Sequence, residues 1–402
     1  MICIVSGEKR LLNNDDNPFT ADYLDVSTGR DIVCDMKKTY LLISTVPVCG
    51  MIVAVFALCC SSPGRKFSEQ HWREQVEKTS AEALFAPHKK DGRYFNPWMP
   101  MEEKGLISVL GWKMTSGREY SEYEKNYRPA IHPDPLRRIQ QAGDADFILW
   151  IGHNSFLIRV NGEYWLTDPI FSARALLPKR KVPPGMTPGD IEKLGGTIHL
   201  LISHNHYDHL DEDSIRGLPA GTKAYVPSGL KDYIRSLGIK DVVELDWWQK
   251  TVTAKGTTLT ALPAQHWSRR ITQGTNSTLW ASFMLESPGV NIYCGGDSGY
   301  FVGYREFGRI FKKIDYALLP TTAYHPRWFM HYPHMDVDEA LRAFSELGAK
   351  YFVPTQWGTF ALGDEPVGYP AIELKRKIQG GNLDPARYKI SGIGEILVIS
   401  GQ

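Results

Sequence analysis

The chain has 402 residues, 43% of them hydrophobic and 23% charged, an ordinary globular balance with room for one large α/β domain and an extension. A formal net charge of +1 removes any electrostatic case for nucleic acid as a partner. Of the six cysteines, Cys3, Cys34, Cys49, Cys59, Cys60 and Cys294, only one lies beyond residue 60, which argues against a disulfide framework or a cysteine metal cluster.

Residues 1–35 are polar, mixed and unpatterned, the texture of a tail or of an upstream start that the mature protein lacks. Residues 36–65 are predicted to be a signal anchor. Tyr40 to Cys60 carries no charge and has about the length of a bilayer span, with Lys37 and Lys38 before it and Arg65 and Lys66 after it. A buried core helix is the competing reading. No small-x-small cleavage site and no clean lipoprotein pattern is evident, which favours an uncleaved single-pass anchor. A short basic N-terminus kept inside would put the main domain outside the cytoplasm.

Residues 66–145 read as an extension wrapping the main domain. Prolines interrupt it repeatedly, so long regular elements are not expected beyond a helix around 69–84. From residue 146 to the C-terminus the texture changes. Short β-rich runs are predicted at 147–151, 156–160, 163–167, 198–203, 223–226, 257–262, 279–285, 290–294, 316–319, 351–353 and 395–399. Helical patterns alternate with them. The clearest is 336–347, where Val337, Ala340, Leu341, Phe344 and Leu347 recur at helical spacing and Gly348 ends the run. Many strands with interspersed helices imply two sheets with helices outside, an α/β sandwich.

The chemistry concentrates at one strand end. Ser203-His204-Asn205-His206-Tyr207-Asp208-His209 reads H-x-H-x-D-H directly after the apolar run 198–202. Imidazole nitrogen and carboxylate oxygen are ligands that zinc favours, and packing four such groups together is costly unless something binds them. His204 and His206 can point to one side of such a loop and Asp208 and His209 to the other. That suits two adjacent ions, a common hydrolytic arrangement. Two later strand ends repeat the pattern: His266 in Pro263-Ala264-Gln265-His266-Trp267, and Asp297 in Gly295-Gly296-Asp297-Ser298-Gly299. Taken alone, His266 is more simply structural and Asp297 an ordinary turn residue; with the first motif they complete a ligand set.

With these blocks in view, the chain resembles the metallo-β-lactamase superfamily. Within it, the chain is similar to the branch containing N-acylphosphatidylethanolamine-hydrolysing phospholipase D and its bacterial relatives. The likeness runs from about Tyr94 to the C-terminus. It rests on blocks 150–155, 166–169, 203–211, 244–248, 263–267, 295–300, 327–330 and 357–362, in matching order. The resemblance implies an αββα fold and a two-zinc site. One ion would take His204, His206, His266 and a bridging Asp297; the other would take Asp208, His209 and Asp297. The family has a further histidine before its Trp-Gly-Thr-Phe segment, where this chain has Gln356. A glutamine carbonyl is a weaker zinc ligand than imidazole, so the second site is expected to be weak, differently filled, or completed by His334 or His331. His153 and Asp168 are expected to support the ligands from behind or to serve the architecture, with direct ligation as the alternative.

The resemblance implies hydrolysis of a phosphodiester by a water that the metals make acidic, with Asp208 orienting it. A membrane phospholipid such as an N-acylphosphatidylethanolamine is the expected substrate. Trp247, Trp248, Trp267, Trp280, Tyr324, Trp328 and Phe329 supply core packing and candidate walls for an acyl chain. Two alternatives stay open: a metal-dependent lactonase of the ascorbate-phosphate type, and a non-catalytic metal-binding relative whose centre has decayed at Gln356.

Overall fold

The computed structural model describes residues 67–399, except residues 103 and 116. The segments 1–35 and 36–65, with the apolar run predicted as an anchor, lie outside the described residues. Among the described residues no helix is long and apolar enough to cross a membrane.

Two sheets form the centre of the molecule. The strands are β1 (Phe147–Gly152), β2 (Ser155–Val160), β3 (Glu163–Thr167), β4 (Ile198–Leu201), β5 (Lys223–Pro227), β6 (Asp241–Leu245), β7 (Lys250–Val252), β8 (Thr258–Leu262), β9 (Ser282–Glu286), β10 (Asn291–Cys294), β11 (Tyr316–Pro320), β12 (Tyr351–Thr355) and β13 (Ile396–Val398). The first sheet runs β13-β1-β2-β3-β4-β5-β6 and the second β12-β11-β10-β9-β8-β7. In the first, the β13-β1-β2-β3 pairs are antiparallel and the β3-β4-β5-β6 pairs parallel. In the second, β7 to β10 pair antiparallel, and β10-β11-β12 pair in parallel.

Strand β1 shows why the sheets stack. Every residue in it is buried. Its alternate side chains, Ile148 and Trp150, join a cluster that also draws Leu259, Phe283, Ile292, Leu318 and Val353 from the second sheet. Phe147, Leu149 and Ile151 point the other way, onto Ile139, Ile191, Ile215 and Ile234 of the outer helices. A continuous apolar run is what a strand covered on both faces requires. On the far side of the second sheet, Phe307, Ala340, Phe344, Leu374 and Ile378 come from helices Gly303–Ile310, Val337–Leu347 and Tyr369–Gly380. The layers are helix, sheet, sheet, helix, the α/β sandwich expected from the alternation of strands and helices.

Helix Val337–Leu347 starts where its pattern predicts. The Asp336 side chain accepts from the Glu339 backbone and Glu339 reaches back, while Gly348 ends the helix at φ 63°. Other expectations need correction. The helix expected around 69–84 is two pieces, Glu69–Glu77 and a short 3-10 turn Ala81–Phe85. Ser80 splits them by capping the second, its hydroxyl accepting from the Glu82 backbone. The proline-broken stretch also contains a ten-residue helix, Leu106–Thr115, and a helix Pro135–Ala142 that uses its proline at the first turn. The run predicted at 279–285 forms strand only from Ser282, because Leu279 and Ala281 turn their N–H groups to Ser228 and Ser203 beside the first sheet.

The residues before β1 reach the centre of the molecule. Trp72 donates to Glu339 at 2.9 Å and Trp98 to Gln265 at 3.1 Å. Asn96 donates to the His266 carbonyl at 3.0 Å. A cleft of about 550 Å³ lies along this segment, lined by Trp72, Trp98, Met99, Lys104, His331 and Tyr332 among others. The aromatic residues predicted as acyl-chain walls are not in it. Trp247, Trp280 and Tyr324 are buried in the core, and Trp248 stacks on Phe85.

Candidate metal centre

Six strand ends meet at one edge of the sandwich. His153 follows β1, Asp168 follows β3, and His204 to His209 follow β4. His266 follows β8, Asp297 follows β10 and Gln356 follows β12. Both sheets therefore contribute, and each side chain hangs on a turn just beyond a carboxyl-terminal strand end. Three of these residues that are not glycine sit in the left-handed region: His153 at φ 52°, Asp168 at 33° and Gln356 at 72°. Buried hydrogen bonds hold them there.

The polar groups sort into two clusters. His204, His206, His266 and Asp297 form one; His153, Asp208 and His209 form the other. Within each, the possible ligand atoms lie within 4.8 Å of one another. Asp297 stands between them. Its Oδ2 lies 3.8 Å from His204 Nε2 and 3.5 Å from His266 Nε2, and its Oδ1 lies 3.2 Å from His209 Nε2.

The rings are oriented from behind. Pro333 C=O accepts from His266 Nδ1 at 3.2 Å, and Ser203 Oγ lies 2.9 Å from His204 Nδ1. Asp168 accepts from His209 Nδ1 at 2.8 Å. Asp168 is itself fixed by Asn154 Nδ2 at 2.6 Å, by the Ser203 backbone at 2.7 Å and by the Ser203 hydroxyl at 2.6 Å. Such partners set the tautomer and angle of a ligand imidazole. The opposite nitrogens then converge: His204 Nε2 is 2.8 Å, and His266 Nε2 3.2 Å, from His206 Nδ1. Nitrogens packed this closely face lone pair to lone pair unless protons or a cation lie between them.

The electrostatics say which. Burial, reinforced by the neighbouring histidines, holds His204 well below the usual histidine range. Burial does the same to His266 against the pull of Asp297, and brings His206 down to about 4. These three are neutral at pH 7, and each keeps one bare ring nitrogen. His209 goes the other way: burial opposes its charge, but Asp297, Asp208 and the bond to Asp168 hold it well above. Asp208 and Asp297 stay ionised despite burial, chiefly through His209. Neutral imidazoles, ionised carboxylates and a buried His206 Nε2 without a hydrogen bond fit a divalent metal.

The remaining predicted positions sort by contact. Gln356 donates its amide nitrogen to the Asp297 carboxylate and, at 3.1 Å, to the Gly296 carbonyl. Both partners only accept, so the nitrogen faces the centre and the glutamine steadies Asp297. His334 is half-buried with its ring 5.4 Å from that of His266, and its buried Nδ1 makes no hydrogen bond. It belongs to neither cluster. His331 lies away from the centre, against Phe67 and Trp72, its Nδ1 on the Arg327 carbonyl at 2.8 Å.

One supporting residue escapes any reading of the sequence. The buried Arg270 guanidinium donates to the carbonyls of Asn205 at 3.0 Å and Leu210 at 2.8 Å, one near each end of the ligand loop. It also pairs with Glu212 at 3.0 Å and covers the Tyr207 ring at 4.2 Å. It clamps the H-x-H-x-D-H loop from more than 60 residues away, and nothing in the local pattern of Ser268-Arg269-Arg270 signals it.

Comparison with known proteins agrees with the geometry. The beta-lactamase superfamily domain matches residues 164–357. An uncharacterized protein of Mycobacterium tuberculosis is 33% identical over 309 residues, covering 72% of this chain and 79% of the relative. The N-acyl-phosphatidylethanolamine-hydrolyzing phospholipase D 1 of Caenorhabditis elegans is 34% identical over 234 residues, 54% of this chain and 65% of that protein. Among solved structures, a possible metal-dependent hydrolase from Veillonella parvula superposes with a TM-score of 0.53 at 15% identity, covering 64% of this chain and all of its own. The chain belongs to the metallo-β-lactamase superfamily and is one of its metal-dependent hydrolases.

Proposed function

We propose that this hydrolase cleaves the phosphodiester of a membrane phospholipid of the N-acylphosphatidylethanolamine class, releasing phosphatidic acid, with two zinc ions in its centre. The observation that carries this reading is the paired donor set bridged by Asp297, in a chain similar to a protein named for that reaction. His204, His206, His266 and Asp297 would hold one ion; Asp208, His209 and Asp297 would hold the other. When bound, the ions supply a water made acidic near neutral pH and positive charge for the phosphoryl oxygens.

The chain's own groups do the rest. Asp208 accepts a hydrogen bond from the attacking water and turns its lone pair toward phosphorus. Asp168 and Ser203 keep His209 from rotating away. Burial keeps His204, His206 and His266 neutral, so each has one nitrogen lone pair free to ligate. The apolar run Tyr40 to Cys60 would place the centre beside its substrate as a single-pass anchor, with the hydrolase domain outside the cytoplasm.

The test is turnover of N-acylphosphatidylethanolamine vesicles by the zinc-loaded full chain, with phosphatidic acid measured as product. Hydrolysis of water-soluble phosphodiesters alone would sink the lipid assignment. Preference for a soluble sugar-phosphate lactone would replace it with the lactonase.

A further inference from the structure

We infer that His153 supplies the nitrogen ligand that the second half of the centre lacks at residue 356. This rests on the two-ion reading above and is independent of the substrate.

Three observations carry it. The first is position. His153 is fully buried, and its Nε2 lies 3.0 Å from Asp208 Oδ2. It shares a cluster with Asp208 and His209 whose donor atoms are all within 4.8 Å. It lies outside the matched superfamily segment, which begins at residue 164.

The second is convergence. His153 Nδ1 faces the Gln356 carbonyl at 3.3 Å, and Nε2 faces the Asp208 carboxylate. His209 is placed in the same way, with Asp168 on one nitrogen and Asp208 and Asp297 on the other. Two imidazoles therefore turn one nitrogen each toward the same carboxylate pair, the arrangement in which one cation would meet both nitrogens and both carboxylates.

The third is how firmly the ring is set. The His153 backbone N–H donates to Thr359 Oγ1 at 2.8 Å. Its carbonyl accepts from the Gln356 N–H at 3.0 Å and from Trp150 Nε1 at 2.9 Å. A left-handed residue other than glycine, with its backbone polar groups bonded, marks a side chain held to one direction. Gln356 thus takes part twice. Its backbone fixes His153, and its amide fixes the bridging carboxylate.

The experiment is zinc content per chain, together with the visible spectrum of the cobalt-substituted protein, on the full chain and its variants. Glycine accepts φ 52° without strain and leaves room for free imidazole. Wild type should carry about two ions per chain. His153→Gly should carry about one, and added imidazole should restore the second ion and its cobalt absorption. Gln356→Ala should keep both ions with weakened retention. If His153→Gly fails to fold by circular dichroism, His153→Asn, which also tolerates this φ, carries the same expectation of one ion. Two ions retained in the His153 variant, with one lost in Gln356→Ala, would overturn the inference and leave the two-ion reading standing. A single ion in wild type would overturn both.

Discussion

Around Asp297 the centre divides into a half of histidines and a half of carboxylates. His204, His206 and His266 press their rings together, and burial keeps them neutral. Across the carboxylate, His209 and His153 stand among Asp208, Asp168 and Asp297, and the carboxylates keep His209 charged against its burial. The first half is poised to accept a cation without displacing protons. The second half holds a proton that an ion must replace. Neutral ligands load readily at neutral pH, and a site that must release a proton is sensitive to pH. Two ions in one centre are thus expected to bind with different pH dependence.

The comparison can be broken most completely at its hinge. Asp297→Ala removes the one group shared by both halves. It should lose both ions in elemental analysis and bring hydrolysis to background; an ion retained in either half would show that the halves are independent. Arg270→Ala should come next. It strips the clamp from the loop that serves both halves and leaves buried carbonyls unpaired, lowering stability in denaturant by about 3 kcal/mol. No change in midpoint would mean that the loop holds its shape alone.

Asp168→Asn should separate the halves. It weakens the direct support of His209 and touches the histidine half only through Ser203, so affinity for one ion falls about 10–100-fold while the other falls less. Equal weakening of both ions in a competition titration would refute the division. Acid should separate them again in metal-stripped protein. His204, His206 and His266 are neutral when folded and take up protons near 6.5 when unfolded. Below 6.5 and down to about 4 the unfolded chain binds more protons, so these residues lower stability as pH falls. Asp208 and Asp297, held low, add stability that is likewise lost toward acid. His209, held high, contributes in the opposite sense: its stability is present below 6.5 and lost as pH rises through its folded value. Thermal melts from pH 7 to pH 4 should fall steadily, and a flat profile would contradict the neutral trio. The smallest effect is a control. Thr187→Ala removes the cap of helix Pro188–Lys193 and should cost about 1 kcal/mol with no loss of metal.

These effects track how far each residue was legible. The H-x-H-x-D-H loop is compact in sequence, and chemistry dense over a few positions reads without a fold. His266 and Asp297 read because each follows an apolar β run, and strand ends are where loops carry function. His153 and Asp168 read as either supporting groups or ligands, without a choice between them, because the register that turns them inward depends on both sheets. Gln356 read as a missing ligand; its donation to Asp297 appears only when β10 and β12 stand side by side with β11 between them. Arg270 had no signal, since its partners, two backbone carbonyls and the side chains of Glu212 and Tyr207, are all distant in sequence. The helix Leu106–Thr115 was hidden by the prolines around it, which bound it without entering it.

The centre is also a statement about time. His153 and the Gln356 carbonyl touch across 203 residues of chain, and the ligand loop is made early in that interval. At about 5–20 residues per second, synthesis delivers β12 on the order of ten seconds after the loop. Asp297 arrives within that interval, but until β12 is made neither His153 nor Asp297 has its contact with Gln356, and closing so long a connection is slow. A ribosome that stalls before residue 297 would therefore carry a metal-attracting loop without its shared carboxylate, and completion of the centre belongs among the last steps of folding.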